Sequence, residues 1–364
     1  MSILIFIAVL FVLILVHEWG HYIVAKKTGM RVDEFGIGLP PKLFGIKKGE
    51  TEYTLNALPI GGFVRIWGEN FSEDGTVIES QENSRAFGAQ PKWAQALVLI
   101  AGVTMNVLFA WLLFSITFML GVQTPVDEAM ATEAAELYVT GTLPDSPAAN
   151  IPAFSIITAV SNEAQEIISP TPSEFSELIV AAGANPVIVT YESNGETTTA
   201  TLQPVQGLFA DDTQRYAVGI SLSLVEIEKQ SFFSAIGSGF TATRNGLIAI
   251  SVGLYSLIAD AITGNADFSQ VAGPVGIVGM VGDAAEFGIS ALLTFTAVIS
   301  LNLAIINLLP FPALDGGRLL FVFIEAVTGR PIPPVWSGRA NLIGFGLLML
   351  LMIAVTYNDI IRLL

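Results

Sequence analysis

The chain has 364 residues, of which 52% are hydrophobic and 13% charged, with a mean hydropathy of +0.64. Roughly a quarter of residues are charged in soluble domains, so an ordinary soluble protein is excluded, and a net charge of -16 argues against nucleic acid as a partner. With no cysteine there is neither a disulfide framework nor a thiolate metal site.

The first segment is apolar from Ile3 to Val16 and then meets "HEWGH". No basic region precedes it and no small-residue cleavage site follows, so Ser2 to about Ala25 is predicted to be a retained, membrane-spanning helix. Three further apolar segments, Ala94 to Gly121, Ile289 to about Leu309 and Leu342 to about Tyr357, are long enough to span. A fifth, Gly246 to Ile262, is shorter and glycine-interrupted, and reads as an outer-face amphipathic or re-entrant helix.

Basic residues set the orientation. Lys26, Lys27, Arg31, Lys42, Lys47, Lys48, Arg65, Arg85 and Lys92 follow the first span; Arg318, Arg330 and Arg339 follow the third strong one. The loop between Gln123 and Gln230 holds only Arg215 and Lys229 among many acids. Four spans therefore place the basic loops in the cytoplasm and the acidic loop outside. The predicted fold class is a polytopic α-helical membrane protein with four transmembrane helices, a cytoplasmic-side β-segment and one inserted extracytoplasmic α+β domain. Its parts are a membrane core over 1–122 and 289–364, the outer domain over 123–225, and outer-face helices over 226–288.

Within the outer loop, "LYVTGTL" and "SIITAVSN" read as strands, "SPAANI" as a turn into a short helix, and "PSEFSELIVAAG" as a helix capped by Ser173. "PVIVTYESNGETTTATLQPV" has a hairpin signal at Asn194-Gly195, and "RYAVGISL" is one more strand. No histidine lies in this loop, so it is predicted to bind rather than to hydrolyse.

H-E-x-x-H on a helix stacks His17 and His21 on one face, which suits two ligands of a tetrahedral zinc, with Glu18 as base toward an activated water. The bland alternative is a polar cap on a membrane helix, but it leaves a costly glutamate between the histidines without a reason. Zinc needs a third protein ligand, and with both histidines used it must be a carboxylate. Asp315 in "NLLPFPALDGGR" is the candidate, because Pro310 and Pro312 break the membrane segment there. A solvated interfacial turn is the alternative. Under four spans His17, His21 and Asp315 lie at one depth.

"HEWGH" together with "NLLPFPALDGG" resembles the site-2 protease family of intramembrane zinc metalloproteases, of the bacterial RseP type. "LNALPIGGFVRIWGE" is similar to that family's membrane-associated β-segment, "GVTMN" to its G-P-x-x-N element with Val103 in the proline's place, and "AGPVGIV" to a stretch before the third span. The outer loop looks like a single PDZ domain, although "NIPAFSIITAVSN" lacks the usual Gly-Asp turn.

The resemblance implies Zn2+ as cofactor, with His17, His21 and Asp315 as ligands and Glu18 as the catalytic base. It implies that Asn307 helps position the substrate or the third span near the site. Gly61, Gly62 and Asn106 are further substrate-side candidates read from the residues themselves; for Asn106 and Asn302 interhelical hydrogen bonding is the competing reading, and for Asn302 the favoured one. It places the protein in the cell inner membrane, with the lipid bilayer as its medium. The implied substrates are membrane proteins with a single transmembrane helix, already trimmed by another protease, such as anti-sigma factors or signal-peptide remnants. Around Gly61-Gly62 the strand-rich segment could pair with an unwound substrate, or only pack on the bundle. The alternative function is an inactive scaffold binding peptides through the PDZ-like domain.

Overall fold

Lipid offers the backbone no hydrogen-bond partner, so a spanning segment must close its own bonds as a helix. The computed structural model describes residues 1–69, 84–193, 195–208, 213–264 and 272–363. Among them five helices are long and apolar enough to cross a membrane: α1 (Ser2–Lys27), α2 (Lys92–Leu120), α4 (Phe232–Thr263), α6 (Ile289–Leu308) and α8 (Pro334–Leu363). Shorter helices are α3 (Pro172–Ala182), α5 (Pro274–Glu286) and α7 (Asp315–Thr328). Residues 1–117 with 231–364 form one compact unit and 118–230 another.

In the first unit α1 and α2 meet backbone to backbone. A Cβ on Gly20 would collide with the carbonyl of Ala101. Small residues permit such approach where lipid gives no hydrophobic drive between helices. Beside α1 lie β1 (Val32–Lys48) and β2 (Thr51–Ile66), antiparallel and sharply bent. Phe35 faces both Val64 and Tyr53, and Ile37 faces both Gly62 and Leu55. The pair therefore folds into four runs in the order 42–48, 51–56, 32–37, 62–66. The β-segment expected at Leu55 to Glu69 is only the last part of this sheet. Tyr22 docks it to α1, edge-on to Phe35 and Tyr53 at 5.3 and 6.1 Å between ring centroids. Ala25, Met30, Val32, Ile66, Ala94 and Val98 close the junction of α1, α2 and the sheet.

The segment Gly246 to Ile262 is not a separate short helix. It is the second half of α4, whose first half packs on the bundle through the Trp111 Nε1–H bond to the Ile236 carbonyl (3.0 Å) and the Gly239–Ser115 contact. Sequence hydropathy missed that first half because "SFFSAIGSGFTATRN" is rich in small polar residues. The "AGPVGIV" stretch opens α5. Asp359 of α8 accepts the amide hydrogens of Gly273 (3.0 Å) and Gly276 (2.9 Å), serving as this helix's N-cap from another element.

The second unit is a seven-stranded antiparallel sheet: β3 (Val122–Pro125), β9 (Ile220–Glu228), β4 (Glu136–Thr142), β5 (Ile156–Ser161), β7 (Val187–Ser193) and β8 (Glu196–Leu202) side by side, with β6 (Glu166–Ile168) on β5. Leu137, Val139, Ile157, Val160, Phe175, Leu178, Val187 and Val189 form its core, with α3 laid against the sheet. Thr171, not Ser173, caps α3: its Oγ1 accepts from the Glu174 amide (3.2 Å), and Glu174 Oε2 accepts from the Thr171 amide (2.9 Å). Ser173 instead donates to Glu128 at 2.8 Å. "SPAANI" forms turns, with no helix. In "RYAVGISL" the strand begins only at Ile220, after Gly219 at φ +73. Asn194 of the β7–β8 hairpin lies outside the described residues.

Candidate metal centre

His17 and His21 stand one turn apart on α1, each 8% exposed. Their Nε2 atoms are 3.1 Å apart. Asp315 Oδ2 lies 3.0 Å from His17 Nε2 and 3.3 Å from His21 Nε2. Donors on a tetrahedral zinc with bonds of about 2.0–2.1 Å are about 3.3 Å apart along each edge. Two imidazole nitrogens and one carboxylate oxygen therefore converge with the spacing and donor types that zinc takes, from positions 298 residues apart.

Local sequence explains how Asp315 gets there. α6 stops at Leu308, before Pro310 and Pro312, and α7 starts at Asp315 itself. The reversal between them is too tight for side chains. A Cβ on Gly316 would enter the carbonyls of Leu308 and Leu309, and one on Gly317 the carbonyl of Phe311. Arg318, one turn into α7, pairs with Glu69 at 2.6 Å, and Lys92 of α2 pairs with Glu325 of α7 at 2.5 Å. These two ion pairs tie the Asp315-bearing helix to the end of the sheet and to α2.

α2 supplies the support behind the histidines. His21 Nδ1–H donates to the Val98 carbonyl at 2.8 Å, which leaves Nε2 as the free lone pair. Asn106, fully buried, sets its amide 3.3 Å from His17 Nδ1, and Ser300 of α6 donates to the Asn106 carbonyl at 2.8 Å. Gly102 is the floor beneath both rings: a Cβ there would stand 2.5 Å from His21 Nε2 and 2.7 Å from His17 Cε1. Sequence reasoning did not single out Val98, and it noted Gly102 only as the first residue of "GVTMN", without a place at the site. A glycine four residues before Asn106, on the same face of α2, was the available signal for the second.

The glycines of the sheet fall beside the motif helix. A Cβ on Gly62 would lie 3.9 Å from Glu18 Cγ, and one on Gly61 3.4 Å from Ile14 Cδ1. The run 62–66 pairs only with 32–37, so among the described residues its other edge has no strand partner. Asn307 is half-buried in the last turn of α6 and, among the described residues, bonds to none of the three converging side chains. Asn302 donates back within its own helix, to Val298 O at 3.0 Å, and among the described residues it makes no interhelical hydrogen bond.

Comparison with known proteins places the chain in a family. The model described as "Peptidase family M50" matches residues 5–351. A protein of Clostridium perfringens that carries a zinc metalloprotease name is 38% identical over 350 residues, covering 96% of this chain and 95% of the relative. The zinc metalloprotease RasP of Shouchella clausii is 30% identical over 437 residues, covering 100% and 99%. The regulator of sigma-W protease RasP of Bacillus subtilis is 29% identical over 443 residues, also covering 100% and 99%.

Proposed function

The chain belongs to peptidase family M50 and is a zinc-dependent metalloendopeptidase of the site-2 type; from that premise we propose that His17, His21 and Asp315 hold its zinc and that Glu18 carries the proton. The observation behind this reading is the convergence of His17 Nε2, His21 Nε2 and Asp315 Oδ2 within hydrogen-bond distance of one another. Zinc held by these three side chains would supply Lewis acidity toward a water and a peptide carbonyl. Glu18 takes the water's proton and returns it to the leaving amine.

A helical substrate must first unwind, because its carbonyls are already bonded. The free edge at 62–66 accepts the unwound segment as an added strand. Gly61 and Gly62 leave no side chain between that strand and Glu18, and Asn307 holds the substrate, or the end of α6, near the site. Zinc content of detergent-purified protein tests the ligand set. About one zinc per chain is expected, lost in both His21→Ala and Asp315→Ala, while Glu18→Gln keeps zinc and loses cleavage. Retention of zinc in Asp315→Ala would sink the ligand assignment.

The substrates we propose are membrane proteins with one transmembrane helix, trimmed on the outer side beforehand. Anti-sigma factors and signal-peptide remnants have that form, and the Bacillus subtilis relative is named for regulating sigma-W. The outer unit is the PDZ-like filter or peptide-end binder. A cleft of about 200 Å³ between α3 and the start of β9, lined by Phe175, Ile179, Arg215, Tyr216, Val218 and Gly219, suits a peptide end.

The contacts of α5 support the proposed topology. Ser2 at the start of α1 touches Gly282, and Asp359 near the end of α8 holds Gly276, six residues earlier on the same short helix. Six residues of helix span about 9 Å, against a hydrocarbon core of about 30 Å. The start of α1 and the end of α8 thus share one side, which supports an even count of crossings: α1, α2, α6 and α8, with α4 outside the count. The chain has no native cysteine, so single substitutions report cleanly. Thr263→Cys should react with an impermeant maleimide on intact cells, and Gly49→Cys only after permeabilisation; the reverse pattern would overturn the topology.

A further inference from the structure

We propose that Asn106 is the positioning residue that fixes the tautomer of His17, by accepting a hydrogen bond from its Nδ1–H so that Nε2 is presented to the metal. The inference rests on the ligand assignment above and goes beyond it. His17 can offer Nε2 as a ligand while neutral only if Nδ1 carries the proton. A buried Nδ1–H then needs an acceptor. The group within reach is the Asn106 amide, 3.3 Å away and wholly enclosed.

In the structure the amide nitrogen faces His17, and the amide oxygen is buried without a partner. The two ends of an amide are nearly the same shape, and their assignment follows from the bonds they can make. A half-turn about Cβ–Cγ brings the oxygen to His17 and moves the unpaired position to the nitrogen. The number of unpaired atoms is unchanged, so the histidine decides. With nitrogen facing it, Nδ1 must accept, Nε2 must carry hydrogen, and the ligand lone pair is gone. With oxygen facing it, both histidines have the same arrangement, since His21 Nδ1–H already donates to the Val98 carbonyl at 2.8 Å. Ser300 anchors the residue by bonding its backbone carbonyl at 2.8 Å, leaving the side-chain oxygen for His17. This also explains why an amide sits in the middle of an apolar helix, where it is otherwise costly.

The test is zinc affinity by chelator competition on the full-length, detergent-purified protein. Asn106→Leu keeps the shape and removes the acceptor; it should bind zinc about 10–100-fold more weakly, the usual loss when an outer partner of a ligating histidine is removed. Asn106→Asp restores an acceptor and should hold zinc within about threefold of the wild type, or more tightly. An affinity for Asn106→Leu within about twofold of the wild type overturns the proposal. So does an Asn106→Asp variant as weak as the leucine one, because a packing role would not distinguish acceptor from methyl. Should the leucine variant fail to fold, Asn106→Ala is measured in its place against the same thresholds. His21→Ala runs alongside: if it retains wild-type affinity, the ligand assignment itself has failed.

Discussion

The two compact units solve the same folding problem in different solvents. In the second unit, water sorts the residues. α3 buries Phe175, Leu178, Ile179 and Ala182 on one face and exposes the other, behind a capping box. The membrane helices show no such sorting. α1 is apolar all round up to Val16, with Ile3, Leu4 and Val12 exposed, and only Leu13 among its apolar residues before the motif is buried. Lipid does not distinguish the faces of such a helix, so its informative residues are the exceptions: His17, Glu18, Gly20 and His21. In water the period of a sequence reveals the fold. In lipid the departures from apolarity reveal the site.

The contrast breaks most visibly at Gly102. Alanine is the better helix former, and in the second unit's α3 an extra methyl on the exposed face would be harmless. At Gly102 the methyl would stand within 2.7 Å of both imidazoles. Gly102→Ala should leave α2 folded, lose zinc and abolish cleavage. A variant that keeps one zinc per chain would show that the rings have room to retreat and that Gly102 is not their floor. On the other side of the contrast, Phe175→Ala removes a side chain 2% exposed in the core of the second unit. Such truncations cost about 3–5 kcal/mol. In the intact protein the expected outcome is rapid proteolytic nicking within 118–230 with zinc content unchanged. Loss of zinc would mean that the two units do not fold independently.

Legibility in the sequence follows the same division. The H-E-x-x-H pair was readable because a helix has a fixed period, and Asp315 because two prolines and two glycines mark a break that lipid tolerates only for a reason. The supports from α2 were not readable in the same way. Val98 contributes a carbonyl that any residue carries, and Gly102 contributes the absence of a side chain. The first half of the sheet was missed because "LPPKLFGIKK" alternates poorly, and its Leu43, Phe44 and Ile46 stay exposed. In the second unit the misreadings were small displacements. "TPSE" held the full capping-box signature for Thr171, and a glycine with positive φ delayed β9 to Ile220.

The smallest expected effect lies where the membrane unit meets water. Glu50, in the turn between β1 and β2, receives a two-pronged bond from Arg85 (2.6 and 2.8 Å) and one from Lys26 at the end of α1 (2.6 Å). Arg85 first, and Lys26 second, hold its carboxyl down to about 2, from an ordinary 4.5. A depressed carboxylate contributes stability that is complete above the ordinary value and disappears as pH falls toward the depressed one. The clamp should thus be constant from pH 5 to 8 and fail between about 4.5 and about 2. Exposed pairs contribute only about 0–1 kcal/mol, so Glu50→Gln should leave zinc binding intact. It should speed hydrogen exchange in 42–56 by a few-fold, by the same factor across pH 5 to 8. A factor that grows steadily over that range would mean that another group, not Glu50, pins the sheet to α1 and sets how closely Gly62 approaches Glu18.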